Sequence, residues 1–311
     1  MTSTLLHVEP YTEAEVLCPA KINLALSVGS PANNGYHPIA SWMVSVDFED
    51  QLSIQCIESD KSKYHIYFAD DAPIRQKVEW EVESDLIYKA HHLLEKHLGK
   101  QLPAVEVTLS KHIPAGAGLG GGSSDAAGML IGLNRLFELN LDEETLLSLA
   151  AELGCDVAFA ISTFLGRPSA LATGFGEVIE STDSLNQIHI ALIMPPFISP
   201  TQQVYQAFDE LNGTSKHVDL KQVVNLMTDN NVQPDGPFND LTEAAIKAQP
   251  RLAVAKENVE QILSKPVHVT GSGSALFVIA DDADDAREMM DMVIESCNYA
   301  TVTAKTLEFM E

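Results

Sequence analysis

IPAGAGLGGGSSDAA (Ile113–Ala127) is the stretch whose reading decides the fold. Five of the seven residues from Gly116 to Gly122 are glycine. Glycine reaches positive φ without steric penalty and lets a ligand approach the backbone closely. The strand pattern VEVTLS (Val105–Ser110) precedes the stretch, and an apolar-periodic helix over Asp125–Leu139 follows it. A helix start offers unpaired N–H groups and the positive end of a dipole, so strand, glycine loop and helix together predict a phosphate cradle. Commoner phosphate motifs fit poorly. A P-loop places Lys after its last glycine, but Gly122, Ser123 and Ser124 follow Gly121 here. Gly116, Gly118 and Gly121 spell G-x-G-x-x-G, yet the next element is a second helix over Asp142–Leu153 rather than the strand of a dinucleotide fold. A protein-kinase loop would carry Val where Ser123 stands. A ligand-free turn is the bland alternative, and so many glycines before paired serines would be costly for it.

Outward from the loop, the first third reads as β-rich. Val16–Val28 is a strand broken or bulged at Pro19, which cannot donate to a ladder. Asn34-Gly35 is a hairpin signal. Ile39–Val46, Gln51–Ile57 and Tyr64–Phe68 read as separate strands, and Leu86–Leu98 as a helix capped at Ser84 or Asp85. Asn140 with Glu143 suggests a capping box for the helix that ends at Gly154. Strands near Ala170–Leu171, Glu177–Ile179 and Ile188–Met194 follow. Helices are then expected over Gln202–Leu211, Leu220–Met227, Leu241–Ile246, Leu252–Leu263 and Asp284–Glu295. A turn is expected at Asn212–Thr214, and short strands at Val267–Thr270, Ala275–Ile279 and Ala300–Leu307. Strands and helices mix without strict βαβ alternation, so the expected class is α+β. The expected division is residues 1–166 and 167–311.

The chain has 311 residues, 45% hydrophobic and 20% charged, enough for about two globular domains. It has no run of 18 apolar residues, and its first residues lack the basic and apolar regions of a leader, so neither a membrane span nor a signal peptide is expected. Cys18, Cys56, Cys155 and Cys297 are scattered, which suits a reducing cytoplasm. With 44 acidic and 19 basic residues the net charge is −25. That balance disfavours nucleic acid and anionic membranes as partners. It also means that a phosphate site must rely on local N–H groups, a few cations and Mg²⁺. The sequence carries no signal for an oligomeric state, and no histidine has zinc-site spacing.

Three further features stand out: PAKIN (Pro19–Asn23), with Lys21 and Asn23 on one strand face; Asp156, just past a helix end in Gly154-Cys155-Asp156; and a late glycine turn, TGSGS (Thr270–Ser274). Each is ordinary alone. A lone Lys is usually a solvated charge, and Cys18 and Cys155 read as packing residues.

In this order, the features resemble the GHMP kinases, the family named for galactose, homoserine, mevalonate and phosphomevalonate. PAKINL (Pro19–Leu24), NGYHPI (Asn34–Ile39), LGCDVAF (Leu153–Phe159) and FND (Phe238–Asp240) place the likeness in the branch that acts on a cytidine-diphosphate-linked methylerythritol. The resemblance runs from about residue 16 to 307. It implies a two-domain fold with mixed and antiparallel sheets, an N-terminal ATP-binding part and a C-terminal substrate-side part. It implies transfer of the γ-phosphoryl of ATP to the C2 hydroxyl of the methylerythritol, in the non-mevalonate route to isoprenoid precursors. Asp156 aligns with the base and Lys21 with its charged partner. Pro114, Gly116, Gly118, Leu119, Gly120, Gly121, Gly122, Ser123 and Ser124 would hold the nucleotide, and Ser124 or its neighbour Ser123 would meet Mg²⁺. Asn23, Tyr36, His37, Thr201 and Tyr205 would hold the substrate, with Tyr36 and Tyr205 sandwiching the cytosine and His37 bonding its edge. The family carries Asn-Leu before the helix near the adenine; here it is Asp85-Leu86. Related kinases of homoserine, a sugar or mevalonate lack a pyrimidine to stack, which sets Tyr36 and His37 apart. A non-catalytic relative would have lost Lys21, Asp156 or the serines, and all are present.

Overall fold

The computed structural model describes residues 12–182, 185–213, 215–228 and 232–309. The N-terminal extension and Thr214 of the expected Asn212–Thr214 turn lie outside the described residues. The chain opens with β1 (Glu13–Val28) and β2 (Ile39–Cys56), antiparallel along their whole length. Two strands were expected where β2 is one. Its pairing slips opposite Pro19/Ala20, where Pro19 faces Glu49 and Ala20 faces Val46. Asp47 and Phe48 are left over on β2 at this step, a bulge-type irregularity that bends and twists the pair locally. Val16 and Cys18 accordingly enter one core, while Ala20, Ile22 and Leu24 enter another despite sharing their parity. The bulge expected at Pro19 thus lets one strand serve two cores, and it hides the continuity of β2 by interrupting its alternation.

β3 (Lys63–Phe68), α1 (Leu86–Leu98), β4 (Val105–Lys111), α2 (Gly121–Leu136), α3 (Glu143–Leu153) and α4 (Cys155–Phe164) complete the first layer pair. β5 (Ser169–Thr173) and β6 (Val178–Ser181) return to the same sheet, β5 on β2. A two-residue strand, β8 (Phe238–Asn239), pairs parallel with β1. The order is β3-β4-β2-β1-β8, with β3 parallel to β4. The second sheet, β11-β7-β10-β9, is antiparallel: β7 (His189–Met194), β9 (His268–Val269), β10 (Leu276–Ala280) and β11 (Ala300–Lys305). Around it lie α5 (Thr201–Asn212), α6 (Leu220–Thr228), α7 (Thr242–Ala248), α8 (Arg251–Leu263) and α9 (Ala283–Cys297). The division expected after residue 166 falls between α4 and β5, and β5, β6 and β8 beyond it bond back to the first sheet. No helix of the described residues is long and apolar enough to cross a membrane.

α2 is the central helix, buried almost all round. Gly128 and Gly132 let it lie directly on β1 and β2: a Cβ there would sit 2.5 Å from Cys18 Sγ or Ile54 Cδ1. α2 begins at Gly121, four residues before the start expected from periodicity, because glycine and serine carry no apolar signal. Asp142, not Asn140, caps α3, its side chain accepting from the Thr145 N–H. Asp85 caps α1 as expected. α4 was not anticipated: it is buried from Val157 to Thr163, and only Gly154, at φ 158°, separates it from α3.

Candidate active site

The glycine stretch wraps one side of a cleft of about 680 Å³ between the two sheets. Gly116, Gly118 and Gly120 take φ of 73°, 83° and 71°. Between them Ala117 and Leu119 turn inward and are buried, so Leu119 can offer a ligand only its backbone. Gly118 has to be glycine for a second reason: a Cβ would stand 2.5 Å from the Thr270 carbonyl oxygen. The early loop and the late glycine turn therefore meet flush. The Ala275 N–H donates to the Ala117 carbonyl (3.0 Å), and the Lys21 N–H to the Leu119 carbonyl (2.9 Å). The Gln76 side chain brackets Ala115, accepting from its N–H and donating to its carbonyl. Gly121, Gly122 and Ser123 open α2 at positions whose N–H groups lack intrahelical partners, and the Ser124 N–H closes the first turn on the Gly120 carbonyl (2.9 Å).

Lys21 and Asn23 share a face of β1, as a two-residue repeat requires. Both are buried. The Lys21 ammonium donates to Asn23 Oδ1 (2.8 Å) and lies 3.9 Å from Asp156 Oδ2. Asp156 sits in the first turn of α4, where the helix dipole favours a carboxylate. Its side chain is 42% exposed toward the cleft. Asn23 Oδ1 also accepts from the Thr270 hydroxyl (3.2 Å), and Nδ2 donates to Ser41 Oγ (2.8 Å). Asn23 thus positions the Lys21 ammonium from within the fold. Asn239 of the FND triplet donates to the Val269 and Gly271 carbonyls and so holds the late turn.

Ser123 lines the cleft. Ser124 is buried behind it, with its Oγ unpartnered among the described residues. No cluster of three acidic, histidine or cysteine side chains suited to a metal occurs among the described residues. An ion carried in on phosphates needs only one or two protein oxygens, and the orphaned Ser124 hydroxyl fits that requirement. Asp85 is occupied twice, capping Ile87 and accepting from Trp80 Nε1 at 2.7 Å.

The other end of the cleft is aromatic. The expected partners Tyr36 and Tyr205 are not in ring contact with each other in this state. Tyr36, 67% exposed, meets Phe175 edge-on with centroids 6.2 Å apart. Tyr205 packs instead on His37 at 4.8 Å. Burial, then the nearby Asp156 and Cys155, push the Tyr205 phenol up to about 12. His37 Nδ1 is 2.9 Å from the Gly29 carbonyl, and Nε2 is 3.6 Å from Asp209. Thr201, at the start of α5, bonds Ser272 of the late turn at 2.9 Å and lines the cleft with Tyr205. Phe175 and Trp80 also line it. Single aromatics outside a motif gave sequence reasoning no signal for either.

Residues 85–164 match the GHMP kinases N terminal domain. A 4-diphosphocytidyl-2-C-methyl-D-erythritol kinase of Desulfitobacterium hafniense is 32% identical over 300 residues, covering 95% of this chain and 97% of that one. The enzyme of the same name from Thermodesulfovibrio yellowstonii is 32% identical, covering 87% and 91%. A crystal structure of 4-(cytidine 5'-diphospho)-2C-methyl-D-erythritol kinase superposes with a TM-score of 0.74 at 29% identity, covering 94% of this chain and 98% of the other.

Proposed function

The chain belongs to the 4-diphosphocytidyl-2-C-methyl-D-erythritol kinase family of GHMP kinases, and from that membership we propose that its cleft moves the γ-phosphoryl of ATP to the 2-hydroxyl of 4-diphosphocytidyl-2-C-methyl-D-erythritol. It is an ATP-dependent phosphotransferase with an alcohol acceptor, acting in isoprenoid biosynthesis. Homoserine, sugar and mevalonate-type acceptors are not favoured.

The observation that carries the site assignment is the meeting of Lys21 and Asp156 at the edge of the glycine loop. Phosphoryl transfer asks a protein mainly for positioning and charge neutralisation. The N–H groups between Gly118 and Ser123 hold the β-phosphate, and Pro114 and Gly116 shape the loop's approach to the nucleotide. Asp156 orients the 2-hydroxyl and receives its proton as the oxygen attacks the γ-phosphorus and the bond to the ADP oxygen breaks. Lys21 follows the loop, because its own N–H is bonded to Leu119, and its ammonium faces the charge gathering on the transferred group. Ser124 would offer its hydroxyl oxygen to Mg²⁺, which would supply positive charge against the phosphates. Tyr36 and Tyr205 flank the pyrimidine, and Thr201 stands beside it. A cytoplasmic location is part of this proposal, consistent with four free thiols among the described residues.

³¹P NMR of the product tests the reading. A new phosphate monoester on an intact cytidine diphosphate linkage is expected. ADP with free phosphate and unmodified acceptor would refute it.

A further inference from the structure

Directly beneath the glycine loop, the Lys111 ammonium lies between two carboxylates, none of which the mechanism above uses. Its Nζ is 2.6 Å from Asp50 Oδ2 and 2.5 Å from Asp125 Oδ2, and all three side chains are 5% exposed or less. The other oxygen of Asp50 accepts the N–H groups of His112 (2.5 Å) and Ile113 (2.8 Å). Lys111 is the last residue of β4, and His112 and Ile113 are the first of the loop. Asp125 lies one turn past the loop's exit at Gly121. The entry and the exit of the loop are thus joined through one ammonium, with Asp50 of β2 as the anchor. Gly121 completes the fit, since a Cβ there would stand 3.3 Å from Asp50 Oδ2 and 2.8 Å from Ile113 Cγ2.

Three buried charges are an expensive way to staple a fold, and an apolar cluster of equal volume is often as stable or more so. Burial pulls the Lys111 ammonium down, but Asp125 and Asp50 outweigh it and hold it above the ordinary lysine range. What charge supplies here, and packing does not, is a fixed direction for two backbone N–H groups.

We propose that Asp50 and Lys111 are positioning residues for the nucleotide phosphates: they set the span between the loop's entry and its exit helix, so that the loop's N–H groups are in place before ATP arrives. The proposal rests on the reading of the loop as the nucleotide site.

A matched pair of substitutions tests it, since Asp50→Asn and Asp125→Asn each remove one negative charge. Asp50 has both oxygens committed as acceptors, so an amide there must turn its NH₂ against a donor. Asp125 Oδ1 has no hydrogen-bond partner among the described residues, so an amide can keep its oxygen on Lys111. Asp50→Asn should raise the Kd and KM for Mg-ATP about tenfold or more, leaving the KM of the cytidyl substrate within about twofold. Asp125→Asn, which keeps an oxygen on Lys111, should raise the Kd and KM for Mg-ATP several-fold less than Asp50→Asn does. Equal shifts in the two variants, or a fall in Tm with Mg-ATP affinity unchanged, would overturn the proposal alone. Wild-type protein that does not bind Mg-ATP would overturn it together with the nucleotide reading. If Asp50→Asn does not fold, hydrogen exchange on the wild-type protein decides. The amides of His112 and Ile113 should be as protected as those of β4 without nucleotide. Fast exchange that slows only on adding Mg-ATP would refute a preset loop.

Discussion

At the nucleotide end of the cleft the loop backbone is held from several sides, by Gln76, Ala275, Lys21 and the Asp50–Lys111–Asp125 network. At the handle end the aromatic rings stand largely on turns, and Tyr36 is two-thirds exposed. One end is built of buried polar bonds with fixed directions, which suits a transition state that needs charge met in place. The other is built of side chains that can part to admit a flat ring, which suits recognition of a handle. Chemistry and specificity are thus assigned to different materials, and each can be attacked separately.

The largest effect should come where the two ends meet. Asp156→Ala should lower kcat by about 10³-fold, a full general-base contribution, while Mg-ATP binding measured by calorimetry stays within about threefold. Loss of both together would erase the distinction between positioning and chemistry. Next is the rigid end. Gly118→Ala combines a φ of 83° with a Cβ 2.5 Å from the Thr270 carbonyl oxygen. Displacing the loop from the late turn should cut kcat/KM for Mg-ATP on the order of 10²-fold, the cost of roughly 1 Å of misplacement. Steady-state kinetics that match wild type would mean the loop is softer than its contacts imply. At the adaptable end, Tyr36→Ala should raise the KM of the cytidyl substrate about tenfold, the worth of one stacking face. The KM of Mg-ATP should not move; if both rise alike, the ends are not independent.

An effect on stability rather than on turnover concerns α1, which flanks the nucleotide end. His91 is buried there, and its Nδ1 lies 2.7 Å from the Tyr64 hydroxyl. Burial holds it at about 4, against an ordinary 6.5, despite the nearby Glu95 carboxylate. The unfolded chain therefore takes up this proton first as pH falls. The stability involved is fully present above pH 6.5 and is lost progressively toward pH 4, on the order of 2 to 3 kcal/mol. Urea titrations across that window should show the loss, and His91→Phe should flatten it. An unchanged slope in the variant would assign acid sensitivity elsewhere.

What the sequence made legible follows the same division. The glycine loop, Lys21 and the late turn are contiguous patterns whose chemistry needs those residues side by side. The cap at Asp85 and the bulge at Pro19 were legible because each is a local rule. The Lys111 network was not. Its carboxylates lie 61 and 14 residues from the lysine, and each is an ordinary charged residue in a chain with 44 acidic residues. α4 was missed because it is buried nearly all round past Asp156 and so lacks a clear polar face. Phe175 was missed because its partner Tyr36 belongs to a different turn, which only the closed sheet brings near. Asn23, expected among the substrate contacts, lines the cleft and also bonds Lys21, Thr270 and Ser41, long-range partners that the strand alone does not reveal.

The most direct measurement is an ADP-release assay with Mg-ATP that offers 4-diphosphocytidyl-2-C-methyl-D-erythritol, homoserine, galactose and mevalonate in turn. Turnover with the cytidyl substrate alone is the predicted result, because only that acceptor uses both ends of the cleft. Turnover with an acceptor that has no pyrimidine, at a comparable kcat/KM, would contradict the account. It would leave the phosphate loop with Lys21 and Asp156 standing and remove the recognition role of Tyr36, His37 and Tyr205.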